Sequence, residues 1–240
     1  MLNVVDVASR IYCILGDIFF PKKCVCCGKY GDYLCYGCVS EIVKIRTPIC
    51  HYCGRISANG MVCKKCKKRE SIYFHSLIVA ADYHSLPVKK MIHNLKYSGL
   101  IDLSSYCGEL VFESLNNVIK DNSYIVTSVP LYWKRERKRG FNQSKLIAQY
   151  VAKLLQFPYF DLIKKICDTK NQVGLNKSER VNNLISSFEI CDINLVKGKN
   201  IVLIDDVVTT GSTLNECSKM LIKSGAKRVI VAVVAKNITF

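Results

Sequence analysis

The sequence is short of proline, tryptophan and acid: five Pro, one Trp and 19 Asp/Glu stand against 35 Lys/Arg in 240 residues. With 13 glycines as well, a collagenous or low-complexity chain is excluded. No uninterrupted apolar run reaches the ~18 residues of a membrane span. The first twenty residues are apolar with helical spacing, yet they lack a basic leader and carry Asp6, Arg10 and Asp17, which argues against a secretory signal. Packing of that stretch against the core is the expectation, with weak interfacial contact at a membrane as the alternative. Half of the chain is hydrophobic, so disorder throughout is excluded too. A soluble cytoplasmic protein is expected, with one ordinary domain and a small appendage.

Charge and cysteine are what the sequence has in excess. The formal net charge is +16 and the pI about 9.3. Residues 21–70 hold eleven Lys/Arg against three Asp/Glu, and residues 131–180 hold twelve against four, while the rest of the chain balances. Charge confined to two stretches favours polyanionic partners over a general solubility role.

Eight of the 14 cysteines form four Cys-x-x-Cys pairs: Cys24/Cys27, Cys35/Cys38, Cys50/Cys53 and Cys63/Cys66. Two residues between cysteines let both thiolates converge on one ion from a tight turn, and four thiolates complete a tetrahedral zinc site. A disulfide framework is the alternative, but nothing indicates secretion, and cytosolic thiols stay reduced. Two structural zinc ions are therefore expected. The spacing allows sequential use of the pairs or an interleaved arrangement. Short loops favour the sequential one, with Val39–Ile49 read as a separator and Cys26 as a spectator. The segment 21–70 has few large aliphatic residues and is expected to depend on its metal for folding.

After Glu70 the pattern changes. Apolar runs at Leu77–Ala81, Tyr124–Val129, Ile201–Ile204 and Val229–Ala235 read as buried strands. Helical patterns lie between them at Val88–Tyr97, Leu103–Ile119, Ser144–Gln156 and Thr213–Ser224. The alternation predicts an α/β fold with a parallel sheet, its ligand site at the carboxyl ends of the strands. The expected organisation is a helical segment at 1–20, a double zinc-ribbon module at 21–70 and an α/β domain at 71–240.

One strand end carries more than a fold. After Ile201–Ile204 come Asp205 and Asp206, then a hydroxyl-rich loop, Thr209-Thr210-Gly211-Ser212-Thr213, opening a helix. Free backbone N–H groups beside hydroxyls at a helix N-terminus make a cradle for phosphate. Carboxylates accept hydrogen bonds from sugar hydroxyls. Together they describe a grip on a ribose 5-phosphate. An ordinary helix cap would explain one hydroxyl, not four with a glycine behind two acids.

This stretch resembles the phosphoribosyl-pyrophosphate (PRPP) motif of type I phosphoribosyltransferases. The resemblance extends along the chain, through the four Cys-x-x-Cys pairs, Val129-Pro130-Leu131, Arg139-Gly140-Phe141-Asn142-Gln143, Gln172-Val173-Gly174-Leu175 and Glu179-Arg180. That ordered set is similar to the ComF/GntX family of competence-associated proteins. The resemblance implies that Asp205 and Asp206 contact ribose hydroxyls and that Thr209, Thr210, Gly211, Ser212 and Thr213 enclose the 5-phosphate. A side chain at Gly211 is then expected to fill the phosphate's place. It implies also that Leu131 and Tyr132 lie near the diphosphate, that Mg2+ bridges diphosphate and ribose, and that Asp168–Asn183 forms a mobile lid. Lys170 and Arg180 are the candidates on it to neutralise leaving pyrophosphate. The chain runs five residues past its last expected strand, so no C-terminal hood for an acceptor base is expected.

The basic run Lys134-Arg135-Glu136-Arg137-Lys138-Arg139 lies beside Tyr132, Trp133 and Phe141. Aromatics that stack on bases among cations that contact the backbone suit single-stranded DNA without sequence preference, and the same cations suit a diphosphate. Lys64, Lys65, Lys67, Lys68 and Arg69 could extend such a track. His51 follows Cys50 and could substitute as a ligand, although four cysteines already complete each site; His75, His84 and His93 are read as structural histidines. Three functions compete: a ComF-like protein of DNA uptake that binds PRPP and single-stranded DNA alongside other uptake or recombination proteins, an active phosphoribosyltransferase for an unidentified acceptor, and a PRPP sensor without turnover.

Overall fold

The computed structural model describes residues 21–119, 123–167 and 187–236, the Arg69 side chain excepted. The expected N-terminal helical segment, the lid at 168–183 and its Lys170 and Arg180 lie outside the described residues. Two short helices, α1 (Tyr36–Ser40) and α2 (Lys64–Glu70), belong to the cysteine-rich part. Then come β1 (Ser76–Asp82), α3 (Leu86–Tyr97), α4 (Leu103–Asn116), β2 (Tyr124–Ser128), α5 (Trp133–Arg139) and α6 (Gln143–Leu155). Short strands β3 (Ile163–Lys165) and β4 (Phe188–Ile190) precede β5 (Asn200–Val208), α7 (Ser212–Lys223) and β6 (Arg228–Lys236).

Four strands form one parallel sheet in the order β1-β6-β5-β2, and β3 and β4 pair antiparallel apart from it. The central strands are buried on both faces, which is why they read as unbroken Val/Ile runs rather than alternating ones. Side chains of β5 alternate between two cores: Val202 and Ile204 face one, Ile201 and Leu203 the other. The first core is closed by the apolar stripes of α3, α4 and α6, through Met91, Leu110 and Ile147 among others. The second is closed by α7, through Leu214, Cys217 and Leu221.

The cysteine-rich part has no core of its own. Cys24, Leu34, Cys38 and Ile42 join the first core, while Cys50, Val62, Cys66 and Phe74 join the second. The chain between them, read as a separator at Val39–Ile49, does separate the two clusters and also pairs with the edge of β1. Lys44 pairs antiparallel with Ala81, with Ile45 N–H donating to the Ala80 carbonyl and Asp82 N–H to the Val43 carbonyl, each at 2.9 Å. Met61 pairs likewise with Ser76 at the other end of β1. The reason is that a β1 edge left bare would present unpaired backbone groups. The cysteine-rich segment covers that edge and places one cysteine cluster over each face of the sheet.

This shared burial has a measurable consequence. Phe74 is fully buried between Cys50, Cys66 and the sheet, and Phe74→Ala should cost about 3–5 kcal/mol. In urea the zinc-binding part and the sheet should then unfold together at a lower midpoint. An unshifted separate transition for the sheet would contradict a shared core.

Candidate functional site

The cysteines are gathered as the sequential arrangement requires. Sγ atoms of Cys24, Cys27, Cys35 and Cys38 lie within 4.8 Å of one another, and so do those of Cys50, Cys53, Cys63 and Cys66. Four thiolates about 2.3 Å from one zinc ion sit ~3.8 Å apart; Cys27 and Cys35 are 3.6 Å apart and Cys53 and Cys63 3.8 Å. Each turn closes on a glycine, Gly28 N–H donating to the Cys24 carbonyl and Gly54 N–H to the Cys50 carbonyl, both at 2.9 Å. The chemistry and the spacing of the donors fit tetrahedral zinc, and both are closed structural sites. Cys26 belongs to neither cluster.

The second centre lies at the carboxyl end of the parallel sheet. Strand β5 runs through both acids instead of stopping before them. Adjacent residues on a strand point to opposite faces, and this separates Asp205 from Asp206. Asp206 is 4% exposed and pairs with Lys96 of α3, Nζ to Oδ2 at 2.8 Å. Asp205 accepts from the Ser144 hydroxyl of α6 at 2.7 Å and from Asp206 N–H at 2.9 Å. The two acids expected at the ribose thus lie on opposite faces of the strand, Asp206 in a buried ion pair and Asp205 beside Ser144.

Burial, and then the neighbouring Asp206 charge, push the Asp205 carboxyl up to about 7. For Lys96 burial works against the charge, but Asp206 and then Asp205 outweigh it and hold its pKa above the ordinary lysine value. Lys96 was not legible as a site residue. Its only signal is a lysine next to Leu95 on the buried face of α3, with Met91 and Ile92. Ser144 belongs to a tightly used segment as well. Asn142 caps α6 by accepting from Ser144 N–H at 3.0 Å, and its Nδ2 donates to the Val129 carbonyl at 3.1 Å. The Arg139–Gln143 segment thus ties the end of β2 to the helix that holds Asp205.

Beyond Val208 the loop delivers Thr209, Thr210 and Ser212 to the surface, with Thr213 half-buried in the first turn of α7. The Thr210 and Ser212 hydroxyls are 2.9 Å apart. Gly211 is the N-cap of α7 at φ 79°, a left-handed conformation that strains other residues. A Cβ there would meet His51 Nε2 at 3.4 Å and the Tyr52 hydroxyl at 3.7 Å. The second zinc knuckle stands directly behind the loop.

The basic run forms α5, a helix with no buried residue. Trp133 is 54% exposed, with Tyr132 tilted against it at 5.8 Å and Lys134 Nζ 5.4 Å from its ring centre. Lys134, Arg135, Arg137 and Lys138 are exposed, Arg139 is half-buried over the Tyr97 ring, and Leu131 and Tyr132 are half-buried at the end of β2. Phe141 packs against the first core, which leaves Tyr132 and Trp133 as the aromatic surface. Because β2 and β5 run parallel with Ser128 opposite Ile204, α5 leaves the same sheet edge as the phosphate loop.

Comparison with known proteins gives two matched regions. Residues 15–67 match the double zinc ribbon domain and residues 142–239 the phosphoribosyl transferase domain. Over its length the chain is similar to Competence protein F of Haemophilus influenzae, with 29% identity covering 89% of this chain and 96% of that protein. It is 27% identical to Competence protein ComFC of Bacillus subtilis, covering 90% of each. With DNA utilization protein YhgH of Escherichia coli O157:H7 the identity is 30%, over 85% of this chain and 89% of that one.

The raised Asp205 carboxyl makes stability depend on pH. Folded, it holds its proton up to about 7; unfolded, an aspartate releases it near ~3.9. Between those values the folded chain binds the extra proton, so stability falls as pH rises through that window. Asp205→Asn cannot titrate, so its Tm relative to the parent should improve from pH 5 to pH 8. A difference that stays constant with pH would contradict the raised carboxyl.

Proposed function

The chain belongs to the family of Competence protein F, ComFC and DNA utilization protein YhgH, and from that premise we propose that it handles DNA during uptake, binding PRPP with magnesium and single-stranded DNA at one edge of its sheet. The observation that carries this reading is the end of β5, where Asp205 and the loop 209–213 stand together at the carboxyl edge of a parallel sheet. Ligands of α/β sheets bind at that edge. Asp205 takes the ribose hydroxyls, the loop's N–H groups and hydroxyls take the 5-phosphate, and Leu131 and Tyr132 border the diphosphate. Lys96 pairs with the buried Asp206, so Asp205 is the carboxyl that stands nearest the ligand. Magnesium supplies neutralisation of the diphosphate charge, held largely by ligand oxygens.

Single-stranded DNA is assigned to the exposed face of α5. Trp133 offers a stacking surface, Lys134, Arg135, Arg137 and Lys138 offer phosphate contacts, and no base-edge readout is expected. The basic α2 of the second ribbon, with Lys64, Lys65, Lys67 and Lys68, extends the cationic surface.

Calorimetry with PRPP and magnesium tests the first half. Asp205→Asn should weaken binding about ten- to a hundredfold, the effect of losing a charged hydrogen bond. Unchanged affinity would remove the carboxylate from the site, and release of pyrophosphate with an acceptor present would turn the reading toward a transferase.

Titration with single-stranded DNA over a range of salt tests the second half. The log–log slope should be about −0.7 per phosphate contact. Replacing Arg135 and Arg137 by Ala should flatten it by up to about 1.4. Trp133→Ala should cost about 1–3 kcal/mol at an unchanged slope. Affinity independent of salt would refute the assignment.

A further inference from the structure

His51 sits between two zinc ligands, Cys50 and Cys53, yet it is not a member of the metal cluster. Its ring turns the other way. It lies against the phosphate loop, with Nε2 3.4 Å from where a Gly211 side chain would begin and the Thr210 backbone within hydrogen-bonding reach. Nδ1 is buried and has no hydrogen-bond partner among the described residues, so the ring's polar engagement is on the loop side. The residue is held from three directions. Cys50 beside it is fully buried, Lys236 at the end of β6 donates to its carbonyl at 3.4 Å, and its neighbour Tyr52 stacks on Phe74 at 6.4 Å.

Among the described residues, the first zinc cluster is not placed against the phosphate loop. It packs in the core on the other face of the sheet, with α3, α4 and α6. The two metal sites therefore differ in what they support, although their ligand sets are alike.

We infer that His51 is a positioning residue for the phosphate loop, through which the second zinc knuckle, and not the first, is coupled to phosphate-ester binding at residues 209–213. Thr209 and Thr210 expose their side chains, while the buried Gly211 backs onto the His51 and Tyr52 rings. Left without that backing, the loop's N–H groups are not held toward one anion. A loop competent only one-tenth of the time weakens apparent affinity about tenfold. Coupling of this kind is reciprocal, so a bound ligand must also retain the second zinc.

The inference rests on the PRPP reading for its ligand, but the ordering of the loop does not. The test uses the full zinc-loaded chain as parent, His51→Ala and His51→Gln, where the Gln amide can still donate to the Thr210 carbonyl. Hydrogen exchange over residues 205–216 without ligand should speed up about tenfold in His51→Ala and stay near the parent in His51→Gln. PRPP affinity with magnesium should fall about tenfold in His51→Ala and return to within threefold in His51→Gln, both variants keeping two zinc ions. In the parent, PRPP should slow chelator extraction of one zinc of the two, and His51→Ala should lose that protection. Unchanged loop exchange in His51→Ala overturns the inference, and so does loss of zinc in step with affinity. A parent that gives no heat with PRPP while His51→Ala still loosens the loop refutes the ligand and upholds the positioning role.

Discussion

Cys24 and Cys38 bury against one face of the sheet while Cys50 and Cys66 bury against the other, and the chain that joins them lies along the open edge of β1. The segment 21–70 has few large aliphatic residues, so it reaches a low-energy state only by metal coordination and by lending its ligands to cores built by other elements. Structural zinc binding is worth about 10–16 kcal/mol in small modules, as much as the net stability of a whole domain, about 5–15 kcal/mol. The metals therefore decide whether β1 is capped. Through β1, which pairs with β6, which pairs with β5, they also bear on how the strand that carries the acids is seated.

The acids show how the fold manages charge that it must bury. Two adjacent carboxylates at a strand end would repel at short range. Asp206 is answered by Lys96, which comes from the end of α3, and Asp205 by a neutral hydroxyl and a backbone N–H. One group sits in an ion pair, and the other is pushed toward the protonated form by burial and the neighbouring acid. Asp205 is thus the group whose state a ligand can change. The strongly basic total of +16 is no guide to this site, because its cations sit elsewhere, on α2 and α5.

Much of this was legible in the sequence because it is local. Period and apolar run length gave the four parallel strands and the helices α3, α4, α6 and α7 to within a few residues, and Cys-x-x-Cys spacing gave the sequential metal clusters. What was not legible depends on contacts across distance. Lys96 and Asp206 lie 110 positions apart, and nothing local to either predicts their pair. His51 reads as a spectator beside a zinc ligand until the second core brings it to Gly211. The β5 strand was ended at Ile204 because two acids interrupt its apolar run. Pairing with β6 continues through Val208↔Lys236 regardless of side-chain polarity, since the ladder is made by backbone. The basic run from Lys134 to Arg139 has no apolar period to mark it as an element. It is a helix with three of its basic residues, Arg137, Lys138 and Arg139, in the last turn, where the helix dipole favours them.

A shared sheet edge gives the two anion-binding surfaces a relation that neither has alone. Strands β2 and β5 are parallel neighbours, in register from Tyr124↔Asn200 to Ser128↔Ile204. The segment leaving β2 therefore enters α5 on the side where β5 delivers Asp205. In the proposed reading, cations on α5 and amides at the loop would both attract phosphate, but by different physics. The loop offers oriented N–H groups of fixed geometry, suited to a single terminal phosphate. The helix offers mobile side chains with long stems, suited to a chain of phosphates whose counterions are released on contact. The first is selective and only weakly dependent on salt, the second unselective and strongly dependent on it. Arg139 belongs to the basic helix, yet it lies over Tyr97, the residue after Lys96. It bridges the basic helix to α3, the element whose Lys96 pairs with Asp206.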